Sequence, residues 1–269
     1  MKPASATSPV VVPEISRALL RIFSAYSRWF VRRRFHSVRV LNSGLPPFNL
    51  ASPLVIYLNH AAWWDPLICL RLAQTYFAHA DSYGPIDAAA LQRYAFFKRL
   101  GFYGVTPHSA PGALNFLRTT CAILGAVRNV VWLTPQGRFM DVRERPLKLQ
   151  PGIGELAAQM GHATFIPLAI EYSFWTEPRP EVLISFGEAI VPQQEFPRSA
   201  REWAQDLSNA LEETQDELAA RSCRRDAAEW HLLDRGTSGV NAVYNTWNRV
   251  RARVTGRRYA ADHYAEEYK

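Results

Sequence analysis

Cysteine is scarce in this chain: Cys69, Cys121 and Cys223 are its only three in 269 residues, and they stand far apart. They form no CxxC pair and no Cys/His ligand spacing, which argues against a disulfide framework and a zinc site and leaves buried free thiols in a reducing compartment. Long apolar runs are missing too. Nothing reaches the roughly 18 uninterrupted apolar residues of a membrane-spanning helix, and the opening MKPASATSPVVVPE has too short an apolar core for a secretory signal. A membrane, if the chain meets one, is met from its surface. Also lacking are Gly/Ser-rich or Pro-rich interruptions in the middle, internal repeats and low-complexity tracts. A chain of this length with 48% apolar residues buries a substantial core, so one large α/β domain is expected rather than two domains or a disordered chain.

What is abundant is arginine, which supplies most of a formal net charge of +7 and a pI near 9.5. Such a balance calls for an acidic partner: nucleic acid, an anionic bilayer or a phosphorylated small molecule. No nucleic-acid motif is present, and residues 15–34 favour lipid. At a 3.6-residue period Ile15, Leu19, Ile22, Phe23, Tyr26 and Phe30 fall on one side of a helix, with Arg17, Arg21, Arg28 and Arg32 opposite. Aromatic and aliphatic groups opposed to arginines suit a helix lying in a headgroup layer of anionic lipids. The competing reading is a surface helix packed on its own core with a solvated basic back. On the membrane reading the contact residues are Arg17, Arg21, Phe23, Arg28 and Phe30, and the protein is peripheral on a cytoplasmic membrane face, with no nucleic-acid partner.

Further along, strands are predicted at residues 53–58 (PLVIYL), 102–105, 130–134 (VVWLT), 164–171 (TFIPLAIE) and 182–186 (VLISF). Helices are predicted at 65–77, 88–100, 112–127, 151–160, 201–221 and 240–254. Strands alternating with helices indicate an α/β sheet covered on both faces. The chain divides into an N-terminal tail and amphipathic helix (1–50), a core (51–200) and a C-terminal helical extension (201–269), all within one structural domain. The arginines of 240–254 offer either a second anionic contact or a solvated face.

One segment carries chemistry. Asn59-His60-Ala61-Ala62-Trp63-Trp64-Asp65-Pro66 lies where a strand ends and a helix begins, the edge at which open α/β sheets collect functional groups. An imidazole removes a proton from an alcohol, and a carboxylate on its other ring nitrogen sets the tautomer and stabilises the imidazolium. Five residues apart on one ideal helix, the two side chains would point about 140° apart, so they meet only if His60 sits in the turn before the helix. Taken singly, Asp65 before Pro66 reads as a plain helix N-cap and His60 as a satisfied polar residue. Trp63 and Trp64 suit an acyl channel, a membrane interface or core packing.

Asn59-His60 followed by Asp65 resembles the NHxxxxD box of the glycerolipid acyltransferases, the lysophosphatidic acid and glycerol-3-phosphate acyltransferase family. The resemblance runs in order over residues 54–186. The stretch 131–138 (VWLTPQGR) is similar to the family's strand ending in a FPEGTR box; 147–158, with Gly152, Leu156 and Ala157, is similar to the helix that follows; and 165–170 (FIPLAI) is similar to the proline-bearing strand that closes the site. The implied fold is a glycerol-3-phosphate acyltransferase-like mixed sheet flanked by helices. The implied reaction is direct transfer of a fatty acyl group from acyl-CoA or acyl carrier protein, with no cofactor beyond that co-substrate, to a hydroxyl of a lipid acceptor. His60 is the implied base and Asp65 its partner, while Asn59, Gln136, Gly137, Arg138, His108 and Pro167 are the implied substrate contacts. No serine or cysteine nucleophile is required, and no GxSxG box is present.

Three departures bear on the acceptor. Gln136 stands where the family has glutamate, Arg138 lies one position before the family arginine, where Phe139 stands, and in the family's second box, where an arginine follows a glycine-led strand, residues 101–108 offer only His108. Those family arginines are the groups expected to grip a phosphate. Either Arg138, with Arg143 or Arg145, reaches a phosphate from a shifted register, or the acceptor head group has none. A non-catalytic membrane-binding protein of the same fold is the alternative to an enzyme. If the enzymatic reading holds, His60→Ala abolishes acyl transfer while circular dichroism and melting remain those of the wild type.

Overall fold

A computed structural model describes residues 10–44, 52–126, 128–192 and 198–236. Among the described residues, eight strands form one mixed sheet flanked by helices. The strands are β1 (Ser37–Leu41), β2 (Leu54–Leu58), β3 (Asp81–Asp87), β4 (Phe102–Val105), β5 (Asn129–Leu133), β6 (Thr164–Ser173), β7 (Glu181–Phe186) and β8 (Trp230–Arg235). The helices are α1 (Arg17–Arg34), α2 (Asp65–Tyr76), α3 (Ala88–Arg93), α4 (Ala110–Leu124), α5 (Gly152–Gln159) and α6 (Ala200–Arg224).

Strand order is β4-β3-β5-β2-β6-β7-β1-β8. The run from β4 to β6 is parallel, β7 is antiparallel to β6, β1 is parallel to β7, and β8 is antiparallel to β1. β2 lies at the centre and every residue of it is buried, as expected of a parallel strand covered on both faces. Its side chains alternate between two cores. Leu54, Ile56 and Leu58 join Ile166, Leu168, Ile170 and Val31 on one face. Val55 and Tyr57 join Val131, Leu133, Phe165, Leu156 and Leu207 on the other.

Periodicity located β2, β4, β5, β6 and β7 but not β1, β3 or β8. β3 contains Gly84 and Pro85, which depress strand propensity, yet it pairs with β4 and β5 on either side. β1 and β8 bring both ends of the described chain into the core sheet. The expected helix over 88–100 is two elements: α3 stops at Tyr94 and a 3-10 helix (Ala95–Leu100) follows, with the Phe97 ring set against Phe23 and Phe102. Gly101 then turns the chain at φ +97°, where an added Cβ would lie 2.3 Å from the Ser82 carbonyl oxygen. The expected helix over 240–254 lies outside the described residues.

α1 divides its predicted apolar side between the interior and the surface. Its buried positions are Ser24, Ser27 and Val31, and it packs on α2 and the 3-10 helix. Phe23 and Phe30 are half-buried at the margin of that contact. Ile22, Tyr26 and Trp29 stay 69%, 51% and 54% exposed. The predicted apolar stripe is therefore split between core and surface.

α6 opens with a Ser199/Glu202 capping box and covers β6, where the Ser222 hydroxyl donates to Glu171 Oε1 at 3.0 Å. Burial raises the Glu171 pKa above its ordinary 4.5. A raised carboxyl pKa contributes stability at pH below the unfolded value, and that contribution is lost as pH rises through the folded value. Glu171→Gln keeps an acceptor for Ser222 without the charge. Its urea midpoint, relative to wild type, is expected to climb as pH rises from about 4.5.

Candidate active site

The site is built at the carboxyl end of the central parallel strands. β2 ends at Leu58, and Asn59 continues its attachment to β6 by side chain: Asn59 Nδ2 donates to the Ile170 carbonyl at 2.9 Å and Ile170 N–H donates to Asn59 Oδ1 at 2.8 Å. With Asn59 clamped in the interior, the chain turns through His60–Trp64 into α2. His60 is in that turn, as the geometry of a five-residue spacing requires.

His60 Nδ1 lies 2.7 Å from Asp65 Oδ2. With a carboxylate as acceptor, the neutral imidazole carries its proton on Nδ1 and presents the lone pair of Nε2. Asp65 is completely buried. Its Oδ2 also accepts from Ala62 N–H at 3.1 Å, and its Oδ1 accepts from the Tyr172 hydroxyl at 2.7 Å. Asp65 is thus not a plain N-cap: the cap position is Trp64, without a side-chain cap bond, and Asp65 reaches back into the turn from the first residue of α2. Position at a helix N-terminus favours its negative charge.

The loop after β5 closes over His60 from the other side. Gln136, buried, accepts the His60 N–H on Oε1 at 2.7 Å, and Met140 N–H donates to the His60 carbonyl at 2.9 Å. Between these two anchors Gly137 turns at φ +71°, its N–H donating to the Thr134 carbonyl at 3.0 Å. The exposed Phe139 ring lies over the imidazole at 4.2 Å between centroids.

The expected substrate contacts sort as follows. Gln136 and Gly137 are in the loop that holds His60. Asn59 is buried and bonded to β6 through both ends of its amide, and Pro167 is buried in β6 opposite Tyr57; both act from inside the sheet. His108 is not brought to His60. It lies exposed after β4 at φ +54°, three strands from β2 in the sheet order, about 14 Å at the usual ~4.8 Å strand spacing. β3 and β5 stand between.

The arginines of the loop are drawn to carboxylates. Arg138 reaches Glu144 at 3.5 Å on the surface. Arg143 grips Asp141 with two nitrogens, at 2.8 and 2.7 Å, and holds that carboxyl well below the ordinary carboxylate range. Arg145 pairs with Asp216 of α6 and donates to the Val142 and Glu144 carbonyls. Among the expected membrane contacts, Arg17 pairs with Asp81 at 2.6 Å, and Arg21 and Arg28 are exposed.

The sequence reading missed Tyr172, Phe139 as the cover of the imidazole, and Met140. Only Tyr172 left a signal, as an aromatic two residues beyond Ile170 on the same strand face. No protein-family model and no curated protein matches the chain.

Gln136→Leu removes the acceptor of the His60 N–H and is expected to cost about 1–3 kcal/mol, read as a lower urea midpoint. Gln136→Glu, which keeps an acceptor oxygen, is expected to lose less.

Proposed function

We propose that this protein is an O-acyltransferase that moves a fatty acyl group from acyl-CoA or acyl carrier protein to a hydroxyl of a lipid acceptor at a membrane surface. The supporting observation is the His60 Nδ1–Asp65 Oδ2 contact, made in a turn at the carboxyl end of β2 with Nε2 left to act. The resemblance of residues 54–186 to the glycerolipid acyltransferases, and a mixed sheet flanked by helices, agree with this reading.

In the reaction, Nε2 takes the acceptor's hydroxyl proton while its oxygen attacks the thioester carbonyl carbon. Asp65 stabilises the imidazolium that forms. Backbone N–H groups of the surrounding loops stabilise the oxyanion. The carbon–sulfur bond then breaks, the ester remains on the acceptor, and the thiolate leaves with little acid help because a thiol ionises far more readily than an alcohol. The imidazolium proton passes to the thiolate or to solvent, which restores the base.

The membrane side of the proposal rests on a run of rings. Ile22, Tyr26 and Trp29 are exposed on α1; Trp29 meets Tyr26, Tyr26 meets Phe23, and Phe23 meets exposed Phe96 and, through Phe97, exposed Tyr94. Tyr26 stacks on Phe30, Phe30 meets Trp64, and Trp64 meets exposed Trp63. The guanidinium of Arg33 lies 5.1 Å from the Trp29 ring. Aromatic groups mixed with arginine suit an anionic interface, and the run ends in the His60–Asp65 turn itself. No described helix is long and apolar enough to cross a membrane.

The acceptor we favour has no phosphate beside its hydroxyl. Phe139 covers the imidazole, and Arg143 and Arg145 are committed to Asp141 and to Asp216. With purified protein, radiolabelled acyl-CoA and mixed vesicles, transfer to an uncharged monoacylglycerol is expected to exceed transfer to lysophosphatidic acid by about tenfold or more. Preference for lysophosphatidic acid overturns the uncharged acceptor. Vesicle binding with no transfer from either thioester donor to either lipid overturns the enzyme in favour of a non-catalytic membrane-binding protein.

A further inference from the structure

A carboxylate removed from water needs a hydrogen-bond donor for each of its oxygens. Asp65 has two donors on Oδ2, from His60 and Ala62, and Tyr172 on Oδ1. We propose that Tyr172 is a positioning residue for the His60–Asp65 pair: its hydroxyl fixes the carboxylate with Oδ2 toward the imidazole and limits how strongly that oxygen holds the imidazolium proton. The role in turnover rests on the acyltransfer reading above; the hydrogen bond does not.

Strand register delivers the hydroxyl. Asn59 clamps its amide to Ile170 of β6, and Tyr172 is two residues on, with its side chain on the same face of the strand. The strand held to the His60 turn thus also carries the donor for Asp65. The Tyr172 ring is set against Phe35 at 5.6 Å, and Phe35 meets Trp64, the residue before Asp65, edge-on at 5.0 Å. Ring and hydroxyl are therefore held by separate contacts. The ionisable groups that face Asp65 are His60 from the turn, Cys69 from α2 and Tyr172 from β6. Burial and the Asp65 charge raise both the Cys69 thiol and the Tyr172 phenol well above their ordinary values, so both keep their protons.

A donor on Oδ1 spreads the carboxylate's charge away from Oδ2. Without it Oδ2 attracts the imidazolium proton more strongly, and the neutral base becomes available only at higher pH.

Tyr172→Phe keeps the ring and removes the hydroxyl. Its kcat is expected to fall about tenfold with the thioester KM unchanged, and the acid limb of its kcat/KM profile to move to higher pH. In proton NMR the downfield His60 Nδ1–H resonance is expected to shift or broaden, whether or not an acceptor has been found. Wild-type kcat, profile and resonance in a variant that melts as wild type overturn the proposal, while loss of transfer in His60→Ala would leave the acyltransferase standing. If the wild type transfers to no acceptor, the resonance alone decides, and an unchanged signal overturns the proposal. Should Tyr172→Phe fail to fold, 3-fluorotyrosine at position 172, a stronger donor, is expected to move the acid limb to lower pH; an unmoved limb again counts against the role.

Discussion

The burial of the Asp65 carboxylate constrains everything around it. A charge taken wholly out of water is tolerated only where donors are already in place, and here they come from three sources: an imidazole and a backbone N–H in the turn, and a phenol on β6. Each donor must be held at hydrogen-bond distance, so the turn, α2 and β6 are locked to one another. Asn59, which ties the end of β2 to β6, and Gln136, which ties the His60 backbone to the loop after β5, complete that lock. The chemical consequence is a histidine with its tautomer set and one nitrogen left to work.

A second feature joins the site to the outside of the molecule. α1 packs through two serines and a valine rather than through its largest apolar groups. Close approach is thereby possible, and the bulky rings are displaced to the margin and the surface. From there ring contacts lead through Phe30 and Trp64 to the turn that holds His60. The proposed lipid-facing surface and the proposed base consequently share one structural unit.

Much of the sheet was legible without coordinates, because a strand buried on both faces is written as a continuous apolar run and β2, β5, β6 and β7 each carry one. β3 was not, since Gly84 and Pro85 interrupt its pattern and its place comes from neighbours on both sides. β1 and β8 carry charged residues within their runs, and their strand character comes from pairing: β1 with β7 and β8 with β1. The α1 periodicity was read correctly as helix, with its arginines exposed, but the expected apolar side is split between core and surface. Hydrophobicity ranks side chains by transfer free energy and takes no account of the volume available where a helix packs, and here Ser24 and Ser27 are the buried positions.

The sequence by itself determined the α/β class and the strand-to-helix turn that contains His60, since both follow from local pattern; the pairing of His60 with Asp65 was implied by the family resemblance, and the five-residue spacing permits it only with His60 in that turn. Only the tertiary structure decided which groups complete the site. Gln136 is 76 residues from His60, and Tyr172 is 107 residues from Asp65. Contacts at such separations depend on strand order and register, which arise from the packing of the whole sheet and are not encoded near either residue. The same strand order places His108, expected among the substrate contacts, three strands from the strand that carries the imidazole.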